Sequence, residues 1–239
     1  MEEKSIYIAS DAPAVIQAAV ELNQNGISFT ADPDEARLAL CDVPTPAFML
    51  EDIPKGLTVI GGNLKHLDPR VPRFDLLEDP YYLAHNALLT AEAALGLLVP
   101  KLSCALADAE TLILGWGRIG KCLDQLLRSA GMPVSVYARK ESDRAMLSAL
   151  GYTAVTLEQC RARMAHYKCI INTAPAAILT QEDLERAPKG CVKLDLASVL
   201  GLSGPDVLHA RGLPGKYKAE ASGKLIARAI LRRREEVFG

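Results

Sequence analysis

The sequence predicts an α/β protein with a Rossmann-type, doubly wound parallel sheet and a second, smaller N-terminal α/β domain. Two observations favour this class. Strand-like and helix-like segments alternate along the whole chain, which is typical of parallel strands joined by crossover helices. A glycine-rich turn, 115-GWGRIG-120, lies between an apolar strand and an amphipathic helix, as it does in dinucleotide-binding folds.

The smaller domain is predicted to span residues 1–84. Its apolar runs predict strands at 5–10, 27–31, 36–40 and 57–61 and one helix at 12–26. The Pro-rich stretch between the last two strands is predicted to be loop. Proline and charged residues are frequent from Asp68 to Pro80, so the domain boundary is placed just after this stretch.

The second domain is predicted to span residues 85–239. Its first helix, 86–99, is apolar around nearly its whole circumference, which favours burial between the two domains. The last helix is predicted at 219–236. Between them, the pattern predicts strands at 111–114, 134–138, 153–155, 168–173 and 191–197 and helices at 118–130, 142–150, 157–165 and 181–187. Thr156 and Gln159 have the spacing of a helix capping box.

Composition narrows the range of functions. The 239 residues are 49% hydrophobic and 23% charged, so the chain can bury a core, and the net charge of −2 argues against nucleic acid or acidic membrane as a partner. Six cysteines without metal-ligand spacing are interpreted as reduced core residues, and no metal site is predicted. The N-terminus lacks a signal-peptide pattern, and no apolar run is predicted to be long enough to cross a bilayer. We therefore expect a cytoplasmic protein that binds small molecules.

The glycine-rich turn can be read as two different nucleotide sites. Gly115, Gly120 and Lys121 match most of a P-loop, whereas Gly115, Gly117 and Gly120 match the dinucleotide motif G-x-G-x-x-G. A P-loop needs a serine or threonine hydroxyl after its lysine to bind magnesium, and residue 122 is a cysteine. A thiol is a poor ligand for a hard cation. The dinucleotide reading is therefore preferred.

In that reading each glycine has its own role. Gly115 makes the tight turn, Gly117 lets the backbone approach a pyrophosphate, and Gly120 lets the helix pack closely on the strand. The pyrophosphate is expected at the amide-rich start of the 118–130 helix. The predicted cofactor residues of this segment are Gly115, Trp116, Gly117, Arg118, Ile119 and Gly120.

The end of the next strand predicts which nicotinamide cofactor binds. An NAD enzyme usually presents Asp or Glu there to the ribose 2′-hydroxyl, but this chain has Arg139 and Lys140. A guanidinium can bind a 2′-phosphate through paired charge-assisted hydrogen bonds. The sequence therefore favours NADP over NAD. The alternative is that both cations are ordinary solvated loop charges.

Ligands of an open α/β sheet bind at the carboxyl ends of its strands. This rule adds Asn172, Thr173, Ala174 and Pro175 to the predicted cofactor residues, although Asn172 or Thr173 could simply cap a helix. Two groups of residues are candidates for substrate chemistry. The predicted catalytic residues are Glu92, Asp195 and Lys216, and the predicted substrate-binding residues are Asn86, Thr90, Ser198 and Lys218.

These candidates are expected to line a cleft between the domains. Glu92 is a carboxylate on an otherwise apolar helix, so it should be paired or have a raised pKa, as a general base or an orienting group would. It could equally pair with a cation for structure alone. Asp195 could be a structural turn group. Lys216 and Lys218 could bind a substrate carboxylate or be solvated surface lysines.

Several motifs together resemble the A subunit of dipicolinate synthase, a relative of the D-2-hydroxyacid dehydrogenases. The resemblance covers about 75–225. The matching motifs are 86-NALLTAE-92, 115-GWGRIG-120, the segment ending at Arg139, 170-IINTAP-175, 178-ILTQEDL-184, 193-KLDLAS-198 and 212-GLPG-215. The resemblance implies an NADP enzyme that oxidises a cyclic dihydropyridine dicarboxylate together with a flavoprotein B subunit in spore-forming bacteria.

The chain departs from that family at two places. The Arg-Pro-Gly-Gly-like run that follows LDLAS in the family is replaced by Val199, Leu200, Gly201 and Leu202, and the family's Ala-Pro-Lys after GLPG is absent. Loss of cations near a dianionic substrate leaves open an NADP-binding partner or regulatory subunit without turnover. A D-2-hydroxyacid dehydrogenase-like enzyme is a third alternative, which is less favoured because that family's Arg, Glu and His set cannot be assigned to positions here. A homodimer is also compatible with the apolar 86–99 helix.

Overall fold

A computed structural model describes residues Ser5–Phe238. The chain forms two compact units: one contains the chain up to Leu89 and again from Pro214 onward, and the other contains Thr90–Leu213. Each has a parallel β-sheet of its own, so the predicted α/β class with two domains is confirmed. The division differs from the predicted one because the C-terminal segment belongs to the first unit.

The first unit is built on a five-stranded sheet. Its strands are β1 (Ile6–Ile8), β2 (Phe29–Thr30), β3 (Leu38–Leu40), β4 (Thr58–Gly61) and β5 (Arg73–Asp75), in the order β2-β1-β3-β4-β5. Helix α1 (Pro13–Gln24) joins β1 to β2, with Pro13 in its first turn, where the missing proline N–H costs nothing. A short helix, α2 (Ala47–Glu51), lies in the segment predicted to be loop, so that prediction was wrong.

The C-terminal helices explain why the boundary was misplaced. Helices α9 (Ala219–Arg232) and α10 (Arg234–Phe238), numbered in chain order, replace the single helix predicted at 219–236. The buried face of α9, including Leu225, Ile226 and Ile230, shares one hydrophobic core with Val15 and Leu22 of α1. A Cβ at Gly223 would lie 2.6 Å from the Ala14 carbonyl oxygen, so the two helix backbones approach closely there.

One long helix belongs to both units. Helix α3 (Pro80–Leu98) begins six residues before the predicted start at 86 and runs through the predicted boundary at 84. Tyr82 packs in the core of the first unit, whereas Ala94 and Leu98 pack in a core of the second. The apolar character of this helix therefore reflects burial of its beginning in one core and of its end in another.

The second unit contains a six-stranded parallel sheet. Its strands are β6 (Thr111–Leu114), β7 (Val134–Tyr137), β8 (Thr153–Val155), β9 (Cys169–Asn172), β10 (Val192–Asp195) and β11 (Val207–His209). Their order across the sheet is β8-β7-β6-β9-β10-β11. The chain adds strands on one side of β6 up to β8 and then continues on the other side with β9, which is the doubly wound order of dinucleotide-binding domains. The helices are α4 (Arg118–Ser129), α5 (Glu141–Ala149), α6 (Leu157–Ala162), α7 (Gln181–Glu185) and α8 (Leu213–Tyr217), of which α8 crosses into the first unit.

Strong local sequence patterns predicted local structure correctly. The capping box of α6 is present, with Thr156 Oγ1 accepting from the Gln159 amide at 3.2 Å and Gln159 Oε1 accepting from the Thr156 amide at 2.8 Å. Strands β5 and β11 were not predicted. Each has only three residues. Strand β5 (Arg73–Asp75) includes two charged residues and lies in the Pro-rich, charged stretch 68–80 that was used to place the domain boundary. Of the six cysteines, the four at 41, 160, 169 and 191 are buried, as expected of core residues.

One helix in the described chain, Pro80–Lys101 including its last turn, is long and apolar enough to cross a membrane by length and composition. The expectation that no segment reaches this threshold was wrong. One such helix is only a weak indication of a membrane span, because the core helix of a soluble protein passes the same test.

The close approach of α9 to α1 gives a stability prediction. Gly223→Ala would force a methyl group against the backbone of α1, and we expect it to lower the free energy of unfolding by about 1–3 kcal/mol. Urea unfolding followed by circular dichroism measures this. The matched control is Gly96→Ala, a helical glycine whose added methyl would meet open space, so its stability should stay the same or rise. Equal stability of the two variants would contradict the packing described.

The buried thiols predict how stability changes with pH. Burial raises the pKa of Cys41, Cys160 and Cys169 from 9.0 to about 12 each, and that of Cys191 to about 11. The folded protein therefore holds these protons more tightly than the unfolded chain. The free energy of unfolding should fall as the pH rises above 9.0.

Two measurements check this prediction. Urea midpoints measured from pH 8 to 11 should decrease steadily, and a thiol reagent at pH 8 should titrate only the less buried Cys104 and Cys122 in the folded protein. All six thiols should react in urea. Rapid reaction of all six without denaturant would show that the four thiols are not buried.

Candidate nucleotide-binding site

The glycine-rich turn follows directly from the end of β6. Gly115 has φ of +111°, a conformation that L-residues with a side chain rarely adopt. A Cβ there would also lie 2.8 Å from Thr173 Oγ1. Backbone conformation and space therefore both require glycine at this position, as predicted for the tight turn.

Gly120 and Gly117 have opposite surroundings. A Cβ at Gly120 would lie 2.4 Å from the carbonyl oxygen of Gly115, so only glycine lets α4 start so close to β6. A Cβ at Gly117 would meet nothing within 4 Å. Gly117 is the N-cap residue of α4, and no side chain of the described chain caps this helix. The amide-rich start of α4 therefore faces open space, which suits an anion.

A cavity of about 400 Å³ adjoins this turn. Three loops contribute to it, each at the carboxyl end of a strand: the loops after β6, β7 and β9. Its lining residues are Gly115, Trp116, Gly117, Tyr137, Ala138, Arg139, Lys140, Asp143, Ala174, Pro175, Ala176 and Ile178. Seven of the predicted cofactor residues thus line one cavity, at the point where the strand order reverses.

The loop after β7 brings charge to this cavity. Arg139 and Lys140 are exposed and line it. Arg144 Nη1 donates to the carbonyl oxygens of Ala138 at 2.7 Å and of Arg139 at 2.8 Å, which fixes the backbone that carries the two cations. Asp143 lines the same cavity. Neither Asp143 nor Arg144 was predicted as a site residue, although both lie in the segment 137–144 that contains Arg139.

The side chains after Gly115 argue further against a P-loop. Lys121 Nζ lies 5.8 Å from the centre of the Trp116 ring, a cation–π distance. Cys122 packs against the apolar core, and burial raises the pKa of its thiol. Trp116 also contacts the edge of the Tyr152 ring at 6.0 Å between centres. Lys121 and Tyr152 thus hold the indole of Trp116 beside the cavity.

Other predicted cofactor residues lie near the cavity without lining it. Thr173 Oγ1 donates to the Leu114 carbonyl oxygen at 3.1 Å, so this hydroxyl supports the glycine turn. Asn172 is fully buried. Arg118 is exposed in the first turn of α4, whereas Ile119 packs on the apolar core. These residues shape or flank the site.

Asp195 does not have the environment of a catalytic residue. Its carboxylate has 0% exposure and accepts four hydrogen bonds, from Asn172 Nδ2 and from the amides of Ala197, Gly201 and Leu202. A group so enclosed cannot touch a substrate. Asp195 organises the loop after β10, so the structural alternative replaces the predicted catalytic role.

The remaining candidates fall in both units. In the second unit, Ser198 is exposed after β10, and α3 carries a buried Thr90 and a half-buried Glu92. In the first unit, Asn86 is half-buried on α3, and Lys216 and Lys218 are exposed around the start of α9. Their catalytic and substrate-binding roles stay predictions.

The strand order and the glycine turn define the class of the second unit: a nucleotide-binding Rossmann domain of the dehydrogenase type. Residues 100–192 match the family model of the D-isomer specific 2-hydroxyacid dehydrogenase NAD binding domain. This match covers the segment from before β6 to the start of β10. A nicotinamide dinucleotide is therefore the indicated ligand. A comparison with curated protein sequences finds no match.

Solved structures of similar fold include the A subunit of dipicolinate synthase, which the sequence motifs also resemble. The A subunit of dipicolinate synthase from Bacillus halodurans has a TM-score of 0.79 at 18% identity, with 96% of this chain and 97% of that chain covered. The Bacillus subtilis A chain has a TM-score of 0.76 at 19% identity, covering 100% and 98%. A D-isomer specific 2-hydroxyacid dehydrogenase from Xanthobacter autotrophicus in complex with NADPH has 0.55 at 16%, covering 98% and 95%. At these identities the likeness shows the fold.

The two glycines of the turn give a paired prediction. Gly117→Ala adds a methyl group in open space but places a poorer residue at the N-cap of α4, so we expect only a small loss of stability together with weaker binding of nicotinamide nucleotides. Gly120→Ala forces a methyl group against the Gly115 carbonyl, so it should lower stability as well as binding. Urea unfolding and calorimetric titration with NADPH measure both effects. Full binding by Gly117→Ala would show that no ligand approaches the turn.

Proposed function

We propose that the protein is an NADP-dependent oxidoreductase that transfers hydride between NADP(H) and a small cyclic dicarboxylate such as dihydrodipicolinate. One observation carries the cofactor part of this proposal. A single cavity lies beside both the uncapped start of α4 and the cationic loop with Arg139 and Lys140. Two phosphate-binding features are therefore present in one place.

The cavity lining offers a place for the pyrophosphate, which NAD and NADP share, and for the 2′-phosphate, which only NADP has. The pyrophosphate would lie against the amides after Gly117, where the chain leaves space. The adenosine 2′-phosphate would lie against Arg139 and Lys140, whose positive charges complement its negative charge. When bound, the nicotinamide supplies hydride transfer, and the protein supplies orientation and an environment that excludes water.

Asp143 reduces the expected preference for NADP over NAD. A carboxylate beside the same cavity repels a 2′-phosphate and can accept a hydrogen bond from a ribose hydroxyl. Two cations and one carboxylate leave a net positive lining there. The balance favours NADP over NAD.

The substrate proposal depends on the motif resemblance and on the fold shared with the dipicolinate synthase A subunits. It carries with it a cytoplasmic location, a flavoprotein B subunit as partner, a role in sporulation and a possible homodimer. Glu92, Lys216 and Lys218 are proposed to serve the substrate, together with Asn86, Thr90 and Ser198.

A second candidate function is an NADP-binding partner or regulatory subunit that lacks turnover. One observation favours it. The loop after β10 exposes Val199 at 59% and Leu200 at 52%, where the resembling family has an Arg-Pro-Gly-Gly-like run with an arginine. Apolar side chains offer a carboxylate no charge to bind. A D-2-hydroxyacid dehydrogenase-like enzyme is the third candidate, supported by the family match of residues 100–192.

The cofactor proposal predicts a selective loss in one variant. Arg139→Ala should weaken NADPH binding by about 10-fold or more, because a charge-assisted hydrogen bond contributes roughly 1.5–3 kcal/mol. NADH binding should change little, since NADH lacks the 2′-phosphate. Quenching of Trp116, which lines the cavity and is the one tryptophan of the chain, reports both affinities.

The matched control is Arg186→Ala, which removes an exposed arginine of the same unit that pairs with Glu182. It should leave both affinities unchanged. Asp143→Asn should shift the preference further toward NADPH. An unchanged NADPH-to-NADH ratio in Arg139→Ala would reject the assignment of NADP.

Turnover separates the proposed enzyme from a binding subunit. Absorbance of the reduced nicotinamide should change when the protein is mixed with NADPH or NADP and the dicarboxylate pair dihydrodipicolinate and dipicolinate, with and without a flavoprotein B subunit. Nucleotide binding without any absorbance change in either mixture would favour the regulatory candidate. A change with 2-hydroxy acids instead would favour the dehydrogenase-like enzyme.

A further inference from the structure

Two neighbouring loops of the second unit are joined by buried polar groups. The loop after β9 carries Ala174, Pro175 and Ala176, which line the nucleotide cavity. The loop after β10, from Leu196 to Leu202, does not line it. Strands β9 and β10 are adjacent and in register, with Asn172 opposite Asp195 at their ends. The two loops therefore leave the sheet side by side.

Asn172 and Asp195 link these loops through their side chains. Asn172 Nδ2 donates to Asp195 Oδ1 at 3.0 Å and to the Ala174 carbonyl oxygen at 2.9 Å, while Asn172 Oδ1 accepts from the Ala174 amide at 3.2 Å. Asp195 holds the other loop by accepting from the amides of Ala197 at 3.0 Å and of Gly201 and Leu202 at 2.7 Å each. Both side chains have 0% exposure.

The returning end of the second loop packs against the first. A Cβ at Gly201 would lie 2.4 Å from both Asn172 Nδ2 and the Ala176 carbonyl oxygen. Only glycine fits in this position. The backbone of the loop after β10 thus presses directly on a residue that lines the cavity.

We propose that Asn172, Asp195 and Gly201 form a positioning clasp that sets the cavity wall at Ala174–Ala176 for nucleotide binding. The clasp touches no ligand itself. It acts because a buried carboxylate with four donors permits few other arrangements, and its hydrogen bonds are strong in an environment without water. This inference rests on the proposed nucleotide-binding function, which it deepens.

The arrangement indicates which part of the ligand depends on the clasp. Ala174–Ala176 follow β9, whereas the cations that would distinguish NADP follow β7. Loosening the clasp should therefore weaken the binding of NADPH and NADH by the same factor. This result differs from that expected for Arg139→Ala, which selects between the two nucleotides.

The test uses the whole chain and measures affinity and site number together. In Asp195→Asn, an amide NH2 replaces one acceptor oxygen and faces backbone donors. We expect the Kd of NADPH and of NADH each to rise about tenfold, with their ratio and the number of sites unchanged. Gly201→Ala, which disturbs the clasp without changing charge, should act in the same direction. Hydrogen exchange at the Ala174 and Gly201 amides should accelerate in both variants.

Two controls make the test specific. Asp206→Asn removes an exposed carboxylate of the same unit, and Gly96→Ala adds a methyl group in open space. Both should bind like the wild type. If circular dichroism shows that Asp195→Asn does not fold, the Kd values and site numbers of Gly201→Ala and Asn172→Ala test the proposal instead. Fewer sites at an unchanged Kd, as in a purely structural role, would overturn the proposal, and so would unchanged binding. Absence of nucleotide binding by the wild type would instead reject the proposed function.

Discussion

The contact between the Gly115 carbonyl and Gly120 constrains the whole nucleotide site. Because no side chain separates the two backbones, α4 begins immediately beside the end of β6 and its first amides point to open space. Thr173 supports the same turn from the neighbouring strand through its bond to the Leu114 carbonyl. The site is thus made of backbone at its centre, and side chains contribute only at its edges. Such a surface suits a pyrophosphate, because its negative charge is spread over several oxygens, each of which can accept a hydrogen bond from a backbone amide.

In both units a strand ends in an aspartate whose carboxylate accepts hydrogen bonds from loop amides. Asp75 ends β5 and accepts from the amides of Asn63, Leu64 and Leu77 at 2.7–3.0 Å, as Asp195 does after β10. A carboxylate at the end of a strand can satisfy several loop amides that no strand partner reaches, and burying those amides unpaired would be costly. Such residues resemble catalytic acids in the sequence. Only their complete set of hydrogen-bond donors distinguishes them.

Sequence patterns predicted the features that depend on neighbours along the chain. The glycine turn, the β6–α4–β7 unit and the Thr156 capping box all lie within short segments, so their signals are local. The placement of α9 in the first unit could not be predicted in this way, because it depends on Gly223 meeting α1 about two hundred residues earlier. The sequence offered a structural role for Asp195 as one alternative, but it could not predict the hydrogen bond between Asn172 and Asp195, which are 23 residues apart. Local chemistry names the candidates, and only the fold shows which of them face a ligand.

The residues proposed to bind the cofactor and the loop after β10, where the chain departs from the family it resembles, lie on different parts of the second unit. The glycine turn and the Arg139 loop depend on β6 and β7, whereas the exposed Val199 and Leu200 lie after β10. The clasp holds the ends of this last loop, at Ala197 and at Gly201 and Leu202, but makes no side-chain bond to the residues between them. Substitution at 199 and 200 would leave every hydrogen bond of the clasp in place. The clasp therefore does not depend on which side chains stand at 199 and 200, so the features proposed for the cofactor do not indicate which substrate is bound.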